Sequence, residues 1–309
     1  MESNKPKKKK RVWLRITLSI LLLVILAVGA YVVTVYKSLT DAVDTMHQPV
    51  ERTTSKRVET IELKNKEPFS ILMLGVDERD GDSGRSDTMI VLSVNPNNNS
   101  VKMLSIPRDT RTEIIGHGTT DKINHAYAFG GVAMSMDTVE NFLDIPIDYY
   151  MQINMDGFKD IVNSVGGVTV NNDLDFTYEG VHFPKGSINL DGEKALKFSR
   201  MRYDDPRGDY GRQLRQREII QAVIKEGASL NSLANFGDIF NALSKNIKTN
   251  LTFDEMVEIQ QHYKNAANNI TQETITGSGQ TINKVWYLVV PESEKEKIQN
   301  EMKKQLEIK

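Results

Sequence analysis

The longest apolar run along the chain is Ile16–Val35, twenty positions without a charge. As a helix, a run of that length crosses about 30 Å of hydrocarbon. The next run, Ile71–Val76, is short and continuous, which predicts a strand buried on both faces of an α/β sheet. Two further apolar runs flank Pro96 and Asn97 to Asn99 and predict a β-hairpin. "YMQINMDGFKDIVNSVGGVTVN" reads as strand, helix, Gly-Gly turn and strand. "DGEKALKFSR" predicts a short helix with Asp191 as N-cap. A long helix is predicted from about Tyr210 to Leu230, with more helix to about residue 268. "KVWYLVV" predicts a late strand, and Pro291 opens an exposed terminal helix. With no repeat and no internal break, 67–309 is expected to be a single mixed α/β domain. Residues 1–15 form a basic tail, 16–36 a transmembrane helix, and the polar stretch 37–66 a juxtamembrane helix or stalk.

Charge sets the orientation of the span. Lys5, Lys7 to Lys10, Arg11 and Arg15 precede it, so the tail is expected in the cytosol and everything after Lys37 outside the cell. Trp13 and Tyr36 suit the two interfaces. A cleaved signal peptide is the competing reading, but the run is longer than a usual h-region and no small-x-small site leads into the domain. The cytosolic tail is too short for a DNA-binding domain, so no nucleic-acid partner is expected. The chain has no cysteine, which excludes thiolate catalysis, zinc–cysteine sites and disulfides. A cysteine-free exported domain suits a Gram-positive surface.

The net charge is only -2, so any anion site must be local. "SRMRYDDPRGDYGRQLRQR" supplies one: Arg200, Arg202, Arg207, Arg212, Arg215 and Arg217, interleaved with Asp204, Asp205 and Asp209. Helical spacing puts Arg212, Gln216, Ile220 and Val223 on one face, the buried one, with Arg212 in the first turn where a helix favours an anion. Glu218, Gln221 and Lys225 fall on the wet side, and Arg217 reads as a solvated residue. If the chain is extended at Arg200 and Arg202, both guanidinium groups point the same way and can grip phosphate oxygens bidentately. A structural ion-pair network with the neighbouring aspartates is the alternative. A second cluster lies at strand ends, where α/β sheets collect ligands: Asp77 after one strand, Arg85 and Asp87 before the next, Arg108 after the third. Carboxylates and arginines without histidine or cysteine fit Mg²⁺ and phosphate, with Mn²⁺ able to replace Mg²⁺. Other motifs fail. "GDSG" at Gly81–Gly84 resembles a protease nucleophile segment but Arg85 follows it. "DGDSGRSD" lacks EF-hand spacing, and there is no Walker A or HExxH sequence.

The ordered set "GVDERD…GRSDTMI…SIPRDT…DKINHAYAFGG…ALKFSRMRYDDPRGDYGRQLRQREII" resembles the LytR-CpsA-Psr family of bacterial cell-wall enzymes, over about residues 68–225. The resemblance implies a central sheet between helices, with a deep apolar channel for a polyprenyl tail. Apolar stretches at Ile219 to Ile224 and Phe158 to Val162 are candidates for that channel. It implies an activity that moves an anionic glycopolymer, such as wall teichoic acid or capsule, from an undecaprenyl-pyrophosphate carrier to peptidoglycan. The acceptor would be the C6 hydroxyl of N-acetylmuramic acid and the product a phosphodiester. Carried over residue by residue, Arg85, Arg108, Arg200, Arg202 and Arg212 match the pyrophosphate-binding arginines. Asp77 and Asp87 match the magnesium-associated aspartates, Asp209 a further acid beside the site, and Arg215 and Gln216 a following "RQ" pair. The expected catalytic group is Asp77, Asp87, Arg108 and Asp209, with the general base open among the three aspartates. A polyprenyl-phosphate-binding regulator and a pyrophosphatase, using the same residues without transfer, are the alternative functions.

Overall fold

The computed structural model describes residues 7–52, 55–77, 84–229 and 244–308. A helix α1, Lys7–Met46, leads in. Strands β1 (Phe69–Val76), β2 (Ser86–Asn95) and β3 (Ser100–Ser105) follow, then the small hairpin β4 (Arg111–Ile114) and β5 (Thr119–Lys122). Helix α2 (His125–Leu143), strand β6 (Tyr149–Ile153) and helix α3 (Met155–Ser164) come next. A lobe of short strands holds β7 (Val168–Asn172), β8 (Phe176–Tyr178), β9 (Val181–Phe183) and β10 (Gly186–Leu190). Helices α4 (Gly192–Arg200) and α5 (Asp209–Ser229) follow. The chain ends with β11 (Ile247–Thr249), α6 (Phe253–His262), β12 (Ile270–Thr274), β13 (Ser278–Ile282), β14 (Val285–Val289) and α7 (Glu292–Gln305).

The central sheet has the order β11-β6-β1-β2-β3-β12 and is mixed: β1–β6 and β3–β12 are parallel, the other pairs antiparallel. Its central strands are apolar on both faces because both are covered. Leu72, Leu74, Met89 and Val91 face a core with α2 and α7. Phe69, Ile90, Leu92 and Met103 face a second core that takes in Ile220, Ile224 and Ile259. A third core, around Phe176, Phe183 and Phe198, fills the lobe of short strands and includes Ile219. The predicted hairpin is the β2–β3 turn, and Asp191 caps α4 by accepting from Lys194 N–H at 2.8 Å.

Two expectations are corrected. The segment before residue 268 is not helix throughout: it contains β11, a three-residue edge strand on β6, while 230–243, including the predicted helix end at Leu230, lie outside the described residues. The terminal helix is not simply exposed, because Ile298, Met302 and Gln305 are buried. The stretch 37–66, expected as a juxtamembrane helix or stalk, opens as helix and packs on the domain. Helix α1 continues through the apolar run without a break, and its last turns bury Leu39, Ala42, Val43 and Met46. That is an i, i+3, i+4, i+7 stripe. Val43 and Met46 pack with Ile153 and Ile247. Beyond the helix, Arg52 reaches Asp137 at 2.7 Å and the buried Glu140 at 3.0 Å. Arg57 reaches Asp148 at 2.8 Å. The turns before that stripe are apolar on every side and exposed, as in a helix built to lie in lipid.

A soluble fragment starting at residue 60 is therefore expected to be about 3–5 kcal/mol less stable than one starting at residue 37. It loses the apolar seam and strands the Glu140 carboxylate. Thermal melts of the two fragments check this; equal midpoints would contradict it.

Candidate active site

The site lies at one edge of the sheet, where β1, β3 and β6 all end and β2 begins. Gly75 pairs with Thr88 and Val76 with Ser86, so Asp87 is the extra residue of a β-bulge. Bulges of this kind re-aim a side chain beside a functional site. Asp77 follows β1 directly. Arg108 is carried on the loop after β3. From the other side come the C-terminal end of α4, with Ser199 and Arg200, and the N-terminal turns of α5, with Asp209, Arg212 and Gln216. Between them is a cavity of about 300 Å³ lined by Asp77, Asp87, Arg200, Arg212 and Gln216. Its remaining wall is mainly apolar: Val76, Ile153, Met155, Phe158, Tyr178 and Leu196. Charged and apolar side chains lining one cavity suit an amphiphile.

The charges interlock. Arg108 Nη1 donates to Asp87 Oδ1 at 2.6 Å. Its Nε lies 3.7 Å from Asp109 Oδ2. Arg212 Nη2 is 2.7 Å from Asp209 Oδ1 and 3.4 Å from the Asp87 carbonyl oxygen. Arg202 Nε is 3.8 Å from the same Asp209 oxygen, and Gln213 donates to the other at 2.7 Å. Burial works to lower the Arg108 pKa, but the hydrogen bond to Asp87 and the charges of Asp87, Asp109 and Asp209 raise it overall. Burial pulls the Arg212 pKa down, and Arg108 and Arg202 add to that against Asp209 and Asp87. Among the described residues, the buried Arg212 Nε has no hydrogen-bond partner. A buried cationic donor left unmet beside two more arginines is the arrangement an oxyanion completes.

Not every expected residue comes to this cavity. Arg85 is exposed just before the bulge. Arg200 is the last residue of a helix and not part of an extended pair with Arg202, although it does line the cavity. Arg215 is turned away into the protein and is 1% exposed. Its Nη1 meets Asp205 Oδ2 at 2.5 Å, its Nε donates to the Phe198 carbonyl at 3.0 Å, and its Nη2 donates to the Met201 carbonyl. The Phe176 and Phe198 rings flank it at 5.4 and 5.8 Å. Asp205 also receives Arg207 at 3.0 Å, and Gly211 leaves it room, since a Cβ there would fall 1.9 Å from Asp205 Oδ2. The arginine-rich stretch is thus divided: Arg200 and Arg212 line the cavity and Arg202 stands beside Asp209, while Arg207, Arg215 and Asp205 form an internal network. Arg217, expected in solvent, is also buried and donates to Ser105 Oγ at 2.7 Å and to Thr274. Of the stretches proposed for a channel, Phe158 lines the cavity, while Val162 and Ile219 are core residues. Asp109, Asn154 and Tyr178 join the site without having been singled out. The DT pair after Arg108 was the available signal for Asp109.

Glu218 is half-buried rather than wet. Burial pushes its carboxyl up to about 7, with Asp173 adding and Arg215, Arg207 and Arg217 opposing. A raised carboxyl pKa stabilises the folded chain at low pH, and that contribution is lost as pH rises through 7. Glu218→Gln is expected to raise stability by about 1 kcal/mol at pH 8, allowing for solvent screening, and to change nothing at pH 4. Melts at the two pH values check this; an equal effect at both would contradict it.

The carboxylates bear on a metal. Among the described residues no three His, Cys, Asp or Glu side chains gather as a metal cage. Asp77 and Asp87 line one cavity, and Asp87 already gives an oxygen to Arg108. Two hard-oxygen donors match an ion such as Mg²⁺, which takes one or two protein carboxylates and completes its shell with water and phosphate oxygens. A larger groove of about 640 Å³ lies between residues 56–59 and the C-terminal helix, but its charges Lys56, Asp144 and Lys303 already pair with each other.

Known proteins share this fold. A transferase of Bacillus mycoides (strain KBAB4), named polyisoprenyl-teichoic acid–peptidoglycan teichoic acid transferase TagU, is 52% identical over 304 residues, 98% of this chain and 99% of its own length. The crystal structure of Bacillus subtilis TagU matches at TM-score 0.65 and 49% identity, over 79% of this chain and 99% of that one. A structure of TagT bound to LIIa-WTA matches at TM-score 0.73 and 30% identity, over 85% and 100%. The family model for LytR_cpsA_psr matches residues 32–304. With that match across nearly the whole chain, the protein belongs to the LytR_cpsA_psr family.

Proposed function

We propose that this protein is a membrane-anchored transferase that moves wall teichoic acid, or a similar anionic glycopolymer, from an undecaprenyl-pyrophosphate carrier to peptidoglycan. The single observation that carries the reading is the cavity itself. Arg200 and Arg212 line it, Arg108 and Arg202 stand behind them on Asp87 and Asp209, the Arg212 Nε is unmet, and much of the remaining lining is apolar. The transferase named for the Bacillus mycoides relative and the TagT complex with LIIa-WTA support the same substrate class. The apolar helix before the domain supports a membrane location, and the basic tail supports a cytosolic N-terminus with the domain outside.

In this reading the pyrophosphate sits among the arginines and the lipid enters along Ile153, Phe158 and Leu196. The muramic acid C6 hydroxyl attacks the phosphorus that carries the glycan. The bond to the bridging oxygen breaks, undecaprenyl phosphate leaves, and a phosphodiester to peptidoglycan forms. Preorganised guanidinium groups stabilise the charge that gathers on the phosphoryl and bridging oxygens. Asp77 and Asp87 would hold Mg²⁺, which supplies further neutralisation of that charge when bound. Asp209 is held by Arg212, Arg202 and Gln213. It therefore orients arginines rather than taking a proton. The acceptor proton falls to Asp77 or Asp87, whichever is less engaged with the ion. Transfer measured with the full-length protein is expected to stop in EDTA and to return with Mg²⁺ or Mn²⁺. Transfer unaffected by EDTA would contradict the metal assignment.

A further inference from the structure

We propose that the β13–β14 hairpin is the platform that receives the acceptor, the glycan strand of peptidoglycan. The proposal rests on the transferase reading, because it locates the second substrate of the same site. The hairpin root is joined to both sides of the arginine cluster. Leu288 N–H donates to the Asp109 carbonyl at 2.9 Å, directly beside Arg108, and Leu288 bridges Thr110. The Gly277 backbone, just before β13, lies close to Tyr210, the neighbour of Asp209. Tyr287 OH donates to Asp121 Oδ1 at 3.3 Å, and the Arg111 guanidinium lies over its ring at 5.8 Å. The hairpin is thus a braced shelf.

Its outer residues have the chemistry of saccharide recognition. Trp286 shares a face of β14 with Leu288 by strand alternation. A Cβ on Gly279 would fall 2.9–3.1 Å from the Trp286 ring atoms, so the indole lies against the bare backbone of Gly279, and the side chain remains 48% exposed. An indole held in this way offers a rigid surface to the C–H face of a sugar. Across from it on the same face stands the exposed Thr281, and Asn283 is exposed at the turn, while Ser278 and Gln280 are exposed on the opposite face of the hairpin. Residues 276–290 contain one charge, Lys284, and no carboxylate. Phosphate-rich polymer is gripped by guanidinium groups, which this hairpin lacks. Neutral acetylated amino sugars need what it has: an aromatic plane with a hydroxyl across from it and an amide at the turn.

The chain has two tryptophans, Trp13 and Trp286, so Trp13→Phe in the full-length protein leaves one reporter. In detergent micelles without donor, uncrosslinked glycan-strand fragments are expected to change Trp286 emission saturably. Lipid-free glycopolymer at the same concentration is expected to leave it unchanged. In the transfer assay, Trp286→Ala is expected to raise KM for the strand about tenfold, as for an exposed aromatic anchor, and to leave KM for the lipid-linked donor unchanged. No emission change with the strand, an equal response to glycopolymer, or a lower melting point with unchanged strand KM would overturn the platform. Saturable strand binding by a protein that transfers nothing would keep the platform and overturn the transferase reading.

Discussion

Replacing Arg212 by alanine is expected to slow transfer about 100- to 1000-fold while the protein stays as stable as before. The rate loss follows from geometry. Arg212 lines the cavity, its Nε has no partner among the described residues, and its neighbours Arg108 and Arg202 converge on the same end. The unchanged stability follows from the same facts. The guanidinium is desolvated and incompletely paired, with Asp209 at 2.7 Å as its ion-pair partner among the described residues. A buried charge that is poorly met contributes little to folding, and its removal relieves a desolvation cost. Lysine should not rescue the variant, because a point charge cannot reproduce a fork across two phosphate oxygens. Initial rates with a lipid-linked donor, together with a thermal melt, check both halves. An active variant, or one that loses activity only by unfolding, would contradict the assignment.

Arg215→Ala, three residues further along the same helix, is expected to do the opposite. It should lower stability by about 3–5 kcal/mol, because it leaves Asp205 buried beside a vacated site. Asp205 would retain only Arg207, and its carboxyl, now held down to about 2, would lose the Arg215 hydrogen bond. Two carbonyls, of Phe198 and Met201, would lose their donor as well. Activity should fall with the amount of folded protein and recover in proportion at lower temperature. Denaturant titration with activity measured in parallel decides the matter. An inactive Arg215→Ala protein of unchanged stability would return Arg215 to the substrate site.

These two arginines also mark how far the sequence could be read. The strand ends that hold Asp77, Asp87 and Arg108 were visible because apolar runs stop there and charges begin. The β2–β3 turn and the Asp191 cap were visible because turn and cap residues are local in their effect. Helix α5 was harder. A helical wheel assumes one buried face, but α5 is wedged between two cores: Ile220 and Ile224 face one, Ile219 and Val223 the other. Arg215 and Arg217 are therefore buried on sides where a single-face reading expects water. Only the partner of each, Asp205 or Ser105, brought close by the fold, reveals the difference. The seam of α1 was legible but overlooked: Leu39, Ala42, Val43 and Met46 follow helical spacing within a polar-looking stretch. Strand β11 is too short to leave a periodic signal, and its pairing with β6 depends on a contact about a hundred residues away. The bulge at Asp87 is likewise a property of register, which one strand alone does not encode.

The most direct test of the central claim follows one oxygen atom. The full-length protein would be incubated with a short undecaprenyl-pyrophosphate-type glycopolymer donor, Mg²⁺ and uncrosslinked peptidoglycan in ¹⁸O-water, then digested with a muramidase and analysed by mass. The account predicts a muropeptide carrying the glycan through a phosphodiester that contains no ¹⁸O, because a sugar hydroxyl is the nucleophile. Free glycan phosphate carrying ¹⁸O, with no muropeptide adduct, would show that water attacks instead and would contradict it.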